Sequence, residues 1–116
     1  MFSFFRSKAD EDGFFRLDVP AGAITPNSLY KVKVNGQTVL LTRVGDQLCA
    51  FSAICPHAAA DLANGRLIRG QIKCPEHGYT FDIRSGRITW PPDEGCRLTR
   101  FTVQEANNQI KIKLNN

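Results

Sequence analysis

The sequence predicts a small all-β domain, because short apolar runs alternate with turn residues and a helical pattern is missing. Runs of about five or six residues that are rich in Val, Ile, Leu, Thr and Phe are separated by Gly, Asn, Asp and Pro, which is typical of strands. No segment longer than about ten residues shows a convincing helical stripe. At 116 residues the chain has the usual size of one domain. We therefore expect a single domain over residues 1–116, in which residues 1–12 form a flexible N-terminal segment.

The clearest element is a hairpin over residues 29–43 that turns at Asn35-Gly36. Asn-Gly supplies the two residues with positive φ that a type I′ turn requires. A second turn at 45–46 leads into an apolar strand that ends just before Cys55. The first candidate site residue is thus predicted to follow directly from a strand.

Five further strands are predicted from apolar runs between turn residues, at 71–73, 79–83, 87–90, 98–105 and 109–114. The last two form a hairpin across Asn107-Asn108. Residues 58–69 show no strand pattern, so we expect an irregular segment with a turn at Asn64-Gly65.

The charge pattern argues against nucleic-acid binding, and the distribution of apolar residues argues against a membrane span. Fifteen Lys and Arg against eleven Asp and Glu give a net charge of +4, but the basic residues are scattered and form no nucleic-acid motif. No window approaches the roughly 18 apolar residues of a membrane span. The apolar run Phe2–Phe5 lacks the long apolar region of a signal peptide. We predict no nucleic-acid binding, no membrane span and a flexible or weakly docked N-terminus.

The only two histidines lie close to two of the four cysteines, in Cys55-Pro56-His57 and Cys74-Pro75-Glu76-His77. This C-x-H and C-x-x-H spacing is typical of metal ligands and not of a disulfide framework. Cysteines that serve as metal ligands are typical of a reducing compartment, so we predict a cytoplasmic protein.

Thiolate and imidazole bind both zinc and iron–sulfur centres. Zinc fingers usually take paired cysteines from one segment and paired histidines from a helix. In this chain each segment offers one sulfur and one nitrogen, so two facing loops can place both sulfurs on one iron and both nitrogens on another. The pattern favours an iron–sulfur cluster and leaves zinc as the alternative.

From about Lys31 to Leu114 the sequence resembles the Rieske [2Fe–2S] family. The matching segments are 55–57, 61–67 and 74–78, followed by Phe81-Asp82 and Ser85-Gly86. The resemblance implies a fold of stacked antiparallel sheets with a cluster-binding subdomain at one tip, and one [2Fe–2S] cluster as the cofactor. It also implies that Cys55 and Cys74 bind the inner iron, and His57 and His77 the outer, solvent-facing iron.

Four positions around these residues indicate the subtype. Where respiratory Rieske proteins carry an extra disulfide, this sequence has Ala60 and Glu76, and where they carry a serine and a tyrosine that bond to sulfur, it has Tyr79 and Phe81. Hydrogen bonds to sulfur stabilise the reduced cluster, so their loss lowers the potential. We predict a potential in the lower part of the Rieske range, about −150 to 0 mV.

This subtype resembles the ferredoxins of bacterial multicomponent oxygenases. The resemblance implies an electron carrier, not an enzyme, that passes single electrons from a flavin-dependent NAD(P)H reductase to a terminal oxygenase or another redox enzyme. Two alternatives are a Rieske-like small subunit of an NADH-dependent nitrite reductase and a zinc-stabilised binding module. A complete oxygenase is excluded, because its catalytic iron needs two further histidines.

Five residues outside the ligand motif have less specific patterns. Pro91 and Pro92 occupy the place of the loop that covers the cluster in Rieske proteins. We expect Trp90 to pack in the core, and we expect Cys49 and Cys96 to be free, buried thiols.

Overall fold

The computed structural model describes residues 2–5 and 9–114 and is nearly all β, as the sequence predicts. Two 3₁₀ turns, Ala21–Ala23 and Leu62–Asn64, interrupt the strands. The strands are β1 (Phe2–Phe5), β2 (Phe14–Leu17), β3 (Tyr30–Val34), β4 (Gln37–Val44), β5 (Gln47–Ser52), β6 (Arg66–Ile68), β7 (Gln71–Lys73), β8 (Thr80–Asp82), β9 (Ile88–Trp90), β10 (Arg100–Ala106) and β11 (Gln109–Lys113). Within the described residues, no helix is long and apolar enough to cross a membrane.

The strands form a larger and a smaller sheet. The seven-stranded sheet has the order β1-β3-β4-β5-β10-β11-β2, and the four-stranded sheet has the order β6-β7-β8-β9. Neighbouring strands are antiparallel except for β1, which runs parallel to β3. Strand β7 ends at Lys73, directly before Cys74, and β8 begins at Thr80. The connection between these two paired strands therefore carries the second pair of candidate ligands.

Local turn chemistry fixes the two predicted hairpins. Asn35 and Gly36 have φ of 49° and 83°, as a type I′ turn requires, and they join β3 to β4. Asn107 and Asn108 have φ of 53° and 62° at the turn between β10 and β11. Asparagine tolerates this left-handed region better than most residues, so both predictions are confirmed.

The segment 58–69 is more regular than predicted. It contains the 3₁₀ turn Leu62–Asn64 and strand β6, and the turn into β7 lies at Arg69-Gly70 with φ of 48° and 79°. Asp61 starts the 3₁₀ turn by accepting a 2.9 Å hydrogen bond from the Ala63 amide. Strand β6 has only three residues and is held by pairing to β7, so its own sequence carries too little pattern to predict it.

At the N-terminus, the backbone of Phe2–Phe5 pairs with Tyr30–Val34, which the sequence pattern does not predict. Strand β2 pairs with β11 at the other edge of the sheet. Residues 1 and 6–8 lie outside the described residues, so the flexibility of residues 1–12 stays a prediction.

Two apolar cores lie on the two faces of strand β4. Val39 and Leu41 point into the first core, among the strands of the larger sheet. Leu40, between them, points into the second core, where it packs with Phe51 and the smaller sheet's Phe81. Successive strand residues face opposite sides, so burial on both faces explains the uninterrupted apolar run Val39–Leu41 in β4. The second core also contains the Cys55 and Cys74 side chains.

Arg43 forms hydrogen bonds both to the segment before β3 and to β10, near the end of the chain. Its guanidinium donates to the Ala21, Ile24 and Asp46 carbonyl oxygens at 2.8–3.0 Å and makes two hydrogen bonds to the Glu105 carboxylate at 2.8 and 2.9 Å. The paired hydrogen bonds to Arg43 lower the pKa of Glu105. A charge-assisted bidentate pair is geometrically specific, so this contact fixes β10 against the loop that precedes β3.

Gly65 provides a direct test of the packing under the smaller sheet. A Cβ at this position would collide with the Lys73 carbonyl oxygen, so Gly65→Ala must displace β7. Overpacking of this kind costs about 1–3 kcal/mol, and we expect urea denaturation to show a loss of that size. Gly95→Ala is the matched control, because a Cβ there meets nothing within 4 Å. Equal stability of the two variants would show that β6 and β7 are not packed as described.

Candidate metal centre

The first candidate loop follows β5 and closes on itself at Cys55. The Cys55 amide donates to the Ala60 carbonyl at 2.8 Å, and the Ala59 amide donates to the Cys55 carbonyl at 2.8 Å. The loop turns back at Ala59, which has a φ of 56°. Cys55 is buried in the second core, whereas His57 is exposed at the turn.

The second candidate loop follows β7 and closes in a similar way. The Cys74 amide donates to the Tyr79 carbonyl at 2.7 Å. The chain reverses at His77 and Gly78, with φ of 65° and 72°. Non-glycine residues rarely adopt this conformation. The rest of the loop must therefore hold the His77 backbone in it. Cys74 is buried and His77 is exposed.

The fold brings the four predicted ligands together in two pairs. The Cys55 thiol lies close enough to Cys74 to raise the pKa of that thiol. The His57 and His77 rings lie with their centroids 5.6 Å apart and nearly perpendicular. The two sulfurs therefore form an inner pair and the two imidazoles an outer pair.

This donor set suits two metal ions better than one. The four donors divide into a sulfur pair and an imidazole pair. A structural zinc ion takes four ligands around one centre, whereas a Rieske cluster takes two cysteines on one iron and two histidines on the other. The paired arrangement of Cys55 with Cys74 and His57 with His77 fits a [2Fe–2S] cluster.

The inner pair of sulfurs lies in an apolar environment. Burial, with a further contribution from the nearby Cys55 thiol, raises the pKa of the Cys74 thiol to about 11. Metal binding requires the thiolate, so loading a metal at this position releases a proton.

Tyr79 and Phe81, the two aromatic residues from which the subtype is predicted, lie next to the candidate ligands. Tyr79 stacks on the His57 ring at 3.5 Å, and its hydroxyl donates to the Glu94 carboxylate at 3.3 Å. Burial and then the Glu94 charge raise the pKa of Tyr79. Phe81 is fully buried and has no hydroxyl. The Tyr79 hydroxyl thus bonds to a carboxylate instead of a cysteine sulfur.

The cysteines outside the motif agree only in part with the prediction. All four cysteines are free. Cys49 is buried, and burial raises the pKa of its thiol. Cys96 is only half-buried, so the prediction of a buried thiol is wrong there. Ala60 and Glu76, one in each loop, have no thiol and cannot form a disulfide.

Trp90 does not pack in the core as predicted, because its side chain is 54% exposed. The pairing of β8 with β9 is irregular: Phe81 pairs with Ile88, but Thr80 pairs with Trp90, two residues further on. This bulge places Trp90 opposite the outward-facing Thr80. The Trp90 ring instead lies edge-on to Tyr79, with centroids 6.5 Å apart.

Comparison with known proteins gives consistent results. Residues 17–107 match the Rieske [2Fe-2S] domain. The ferredoxin component of the naphthalene 1,2-dioxygenase/salicylate 5-hydroxylase systems of Ralstonia sp is 33% identical over 84% of this chain and 88% of its own. Ferredoxin CarAc of Metapseudomonas resinovorans is 34% identical over 79% of this chain and 86% of its own.

A solved structure extends the similarity to the fold. The ferredoxin of carbazole 1,9a-dioxygenase from Nocardioides aromaticivorans IC177 superposes with a TM-score of 0.74 at 28% identity, over 84% of this chain and 96% of that one. The family match covers both candidate loops and the strands that carry them. The chain therefore belongs to the Rieske [2Fe–2S] family, and its cofactor is one [2Fe–2S] cluster.

Proposed function

We propose that this chain is a ferredoxin that holds its cluster through Cys55, His57, Cys74 and His77. It carries single electrons from a flavin-dependent NAD(P)H reductase to a terminal oxygenase. The observation that carries the proposal is the division of the four side chains into a buried sulfur pair and an exposed imidazole pair. A carrier needs this division, because one side of its redox centre must be protected and the other must reach its partners.

The protein contributes position and shielding. When bound, a [2Fe–2S] cluster supplies one reversible electron. Cys55 and Cys74 hold the inner side within the second core, where water is excluded. His57 and His77 hold the outer side and bring the redox centre to the surface. Tyr79 orients the His57 ring by stacking on it.

Several observations support a carrier instead of an enzyme. The chain has two histidines, and the proposed cluster takes both as ligands, which leaves none for the mononuclear iron of an oxygenase. The reported relatives of similar length are ferredoxin components. In the carbazole 1,9a-dioxygenase system, an oxygenase has been solved in complex with its ferredoxin, whose chain matches this one with a TM-score of 0.77 and 26% identity.

The alternatives have less support. A structural zinc ion takes four ligands around one centre, whereas the four candidate donors divide into two pairs. No observation favours a nitrite reductase subunit over a ferredoxin. We further propose a cytoplasmic location, supported by the four free cysteines, since thiols persist in reducing compartments.

The ligand assignment can be tested with serine substitutions at the four proposed ligands and at one other cysteine. We expect Cys55→Ser and Cys74→Ser to lose the Rieske absorption and EPR signals, because each removes a sulfur ligand. Cys96→Ser is the matched control and should retain two irons per chain, since Cys96 lies outside both loops. His57→Ser and His77→Ser should also lose the Rieske signals. A full Rieske spectrum in any ligand variant would show that the assignment is wrong.

Electron carriage can be tested by reductive titration of the purified protein. We expect each chain to take up one electron from dithionite and to return it to cytochrome c without loss of the spectrum, because the site stores one electron. Uptake of no electron, or irreversible bleaching after one cycle, would contradict a carrier.

The missing hydroxyl near sulfur predicts a low midpoint potential, about −150 to 0 mV. Phe81→Tyr adds a hydroxyl at the position where respiratory Rieske proteins have one. A hydrogen bond of about 1 kcal/mol corresponds to about 40 mV for one electron, so we expect a rise of that order in protein-film voltammetry. Tyr79→Phe is the control and should leave the potential nearly unchanged, since its hydroxyl bonds to Glu94. A wild-type midpoint above about +150 mV would contradict the argument.

A further inference from the structure

One row of side chains crosses the smaller sheet at the end nearest the second loop. Arg66 pairs with Lys73, Lys73 with Thr80, and Thr80 with Trp90. Directly paired residues of neighbouring strands point to the same face of a sheet. Phe81, the next residue of β8, is fully buried on the inner face, so these four residues, the Arg66–Trp90 row, lie on the outer face.

The Arg66–Trp90 row adjoins the exposed edge of the proposed cluster site. A Cβ on Gly78 would lie 3.4 Å from the Lys73 Cε atom and 3.7 Å from the Trp90 Cζ3 atom. Lys73 and Trp90 therefore both reach over Gly78, which directly follows His77. Any protein that contacts this row also lies close to an imidazole ligand.

The two cations of the row form no ion pair with the described residues of the chain. Ion pairs in the described part of the chain join Lys31 to Asp61, Arg43 to Glu105 and Lys111 to Asp10. Arg66 and Lys73 belong to none of these pairs, and both are exposed. Like charges directly opposite each other on neighbouring strands destabilise a sheet. A carboxylate from another molecule would relieve this repulsion.

The row also offers apolar surface of the kind used in protein interfaces. A groove of about 360 Å³ is lined by Arg66, Lys73, Pro75 and Gly78 and extends to Cys74. Trp90 is 54% exposed. Large exposed aromatic residues beside a groove dominate binding energy when a partner covers them.

Two carboxylates also lie near the proposed site. Glu94 accepts the Tyr79 hydroxyl bond, and Tyr79 stacks on His57. Glu76 lies within the second loop and is exposed. The Arg66–Trp90 row itself carries two positive charges and no carboxylate, in a chain whose net charge is +4.

We propose that the Arg66–Trp90 row is the docking surface for the acidic face of a redox partner protein. The partner presents carboxylates to Arg66 and Lys73 and covers Trp90. These carboxylates lie close to the partner's own redox centre. This inference rests on the proposed function, because it names the chemistry of the partner that a carrier would meet.

The test compares two acceptors that share one haem but differ in surface charge. Horse cytochrome c is strongly basic, and its succinylated form is acidic. Stopped-flow oxidation of the dithionite-reduced holoprotein is followed at low and high ionic strength. We expect the succinylated form to react faster at low salt and to lose this advantage at high salt, because charge steering is screened.

Substitutions in the row should change these rates selectively. We expect R66E/K73E to slow the reaction with succinylated cytochrome c at least tenfold at low salt and to accelerate the reaction with the native form. R66Q/K73Q should have an intermediate effect. W90A should slow the reaction with the succinylated form several-fold at every salt concentration, because it removes contact area instead of charge.

R16E/K33E is the matched control, since it makes the same change in net charge on the seven-stranded sheet. We expect its rates to stay within about twofold of wild type, because steering acts mainly near the electron exit. The Rieske spectrum of each variant shows that the cluster is intact. A wild-type protein without that spectrum would instead contradict the proposed function.

Three results would overturn the docking proposal. The first is that R66E/K73E and R16E/K33E slow the reaction with succinylated cytochrome c equally. The rate would then depend on net charge and not on the Arg66–Trp90 row. The second is a wild-type preference for native cytochrome c at low salt, which would assign docking to the carboxylates of the site. The third is an unchanged rate in W90A, which would remove Trp90 from the contact.

Discussion

The hydrogen bond from the Cys74 amide to the Tyr79 carbonyl is the contact on which the proposed site depends. It closes the second loop at the cysteine, so the Cys74 side chain turns inward and the residues between must project outward. His77 reaches the outside only because the loop reverses at His77 and Gly78 in the left-handed region. The Cys55 amide makes the equivalent bond to Ala60. The two closed loops thus place the sulfurs on the inside and the imidazoles on the outside.

Closed loops would still not meet without the second core beneath them. Leu40 and Phe51 extend from the larger sheet, and Ile72 and Phe81 extend from the smaller one. Their burial holds the two sheets together, and β7 then delivers Cys74 toward Cys55. A site carried on short paired strands changes shape less than one on long loops. The positions of the four ligands are therefore a consequence of apolar packing between the sheets.

The sequence predicts the features that depend on a few neighbouring residues. Asn35-Gly36 fixes its hairpin through local φ values, and the cysteine–histidine spacing identifies the ligand loops without any knowledge of the fold. The sequence does not predict β6, which is held by its pairing to β7. It also misplaces Trp90, because one irregular pair in β9 turns that side chain outward. These failures share a cause, since both features are decided by a partner strand.

The same bulge connects the fold to partner recognition. With regular pairing after Ile88, Thr89 would lie opposite Thr80, and Trp90 would not join the row of Arg66 and Lys73. The ligand loops have little freedom to vary, because their closure and their ligands fix most positions. The outer face of the smaller sheet is not constrained in this way, because only the inner face of that sheet packs into the second core. Recognition of a partner can therefore change on this face while the redox site remains the same.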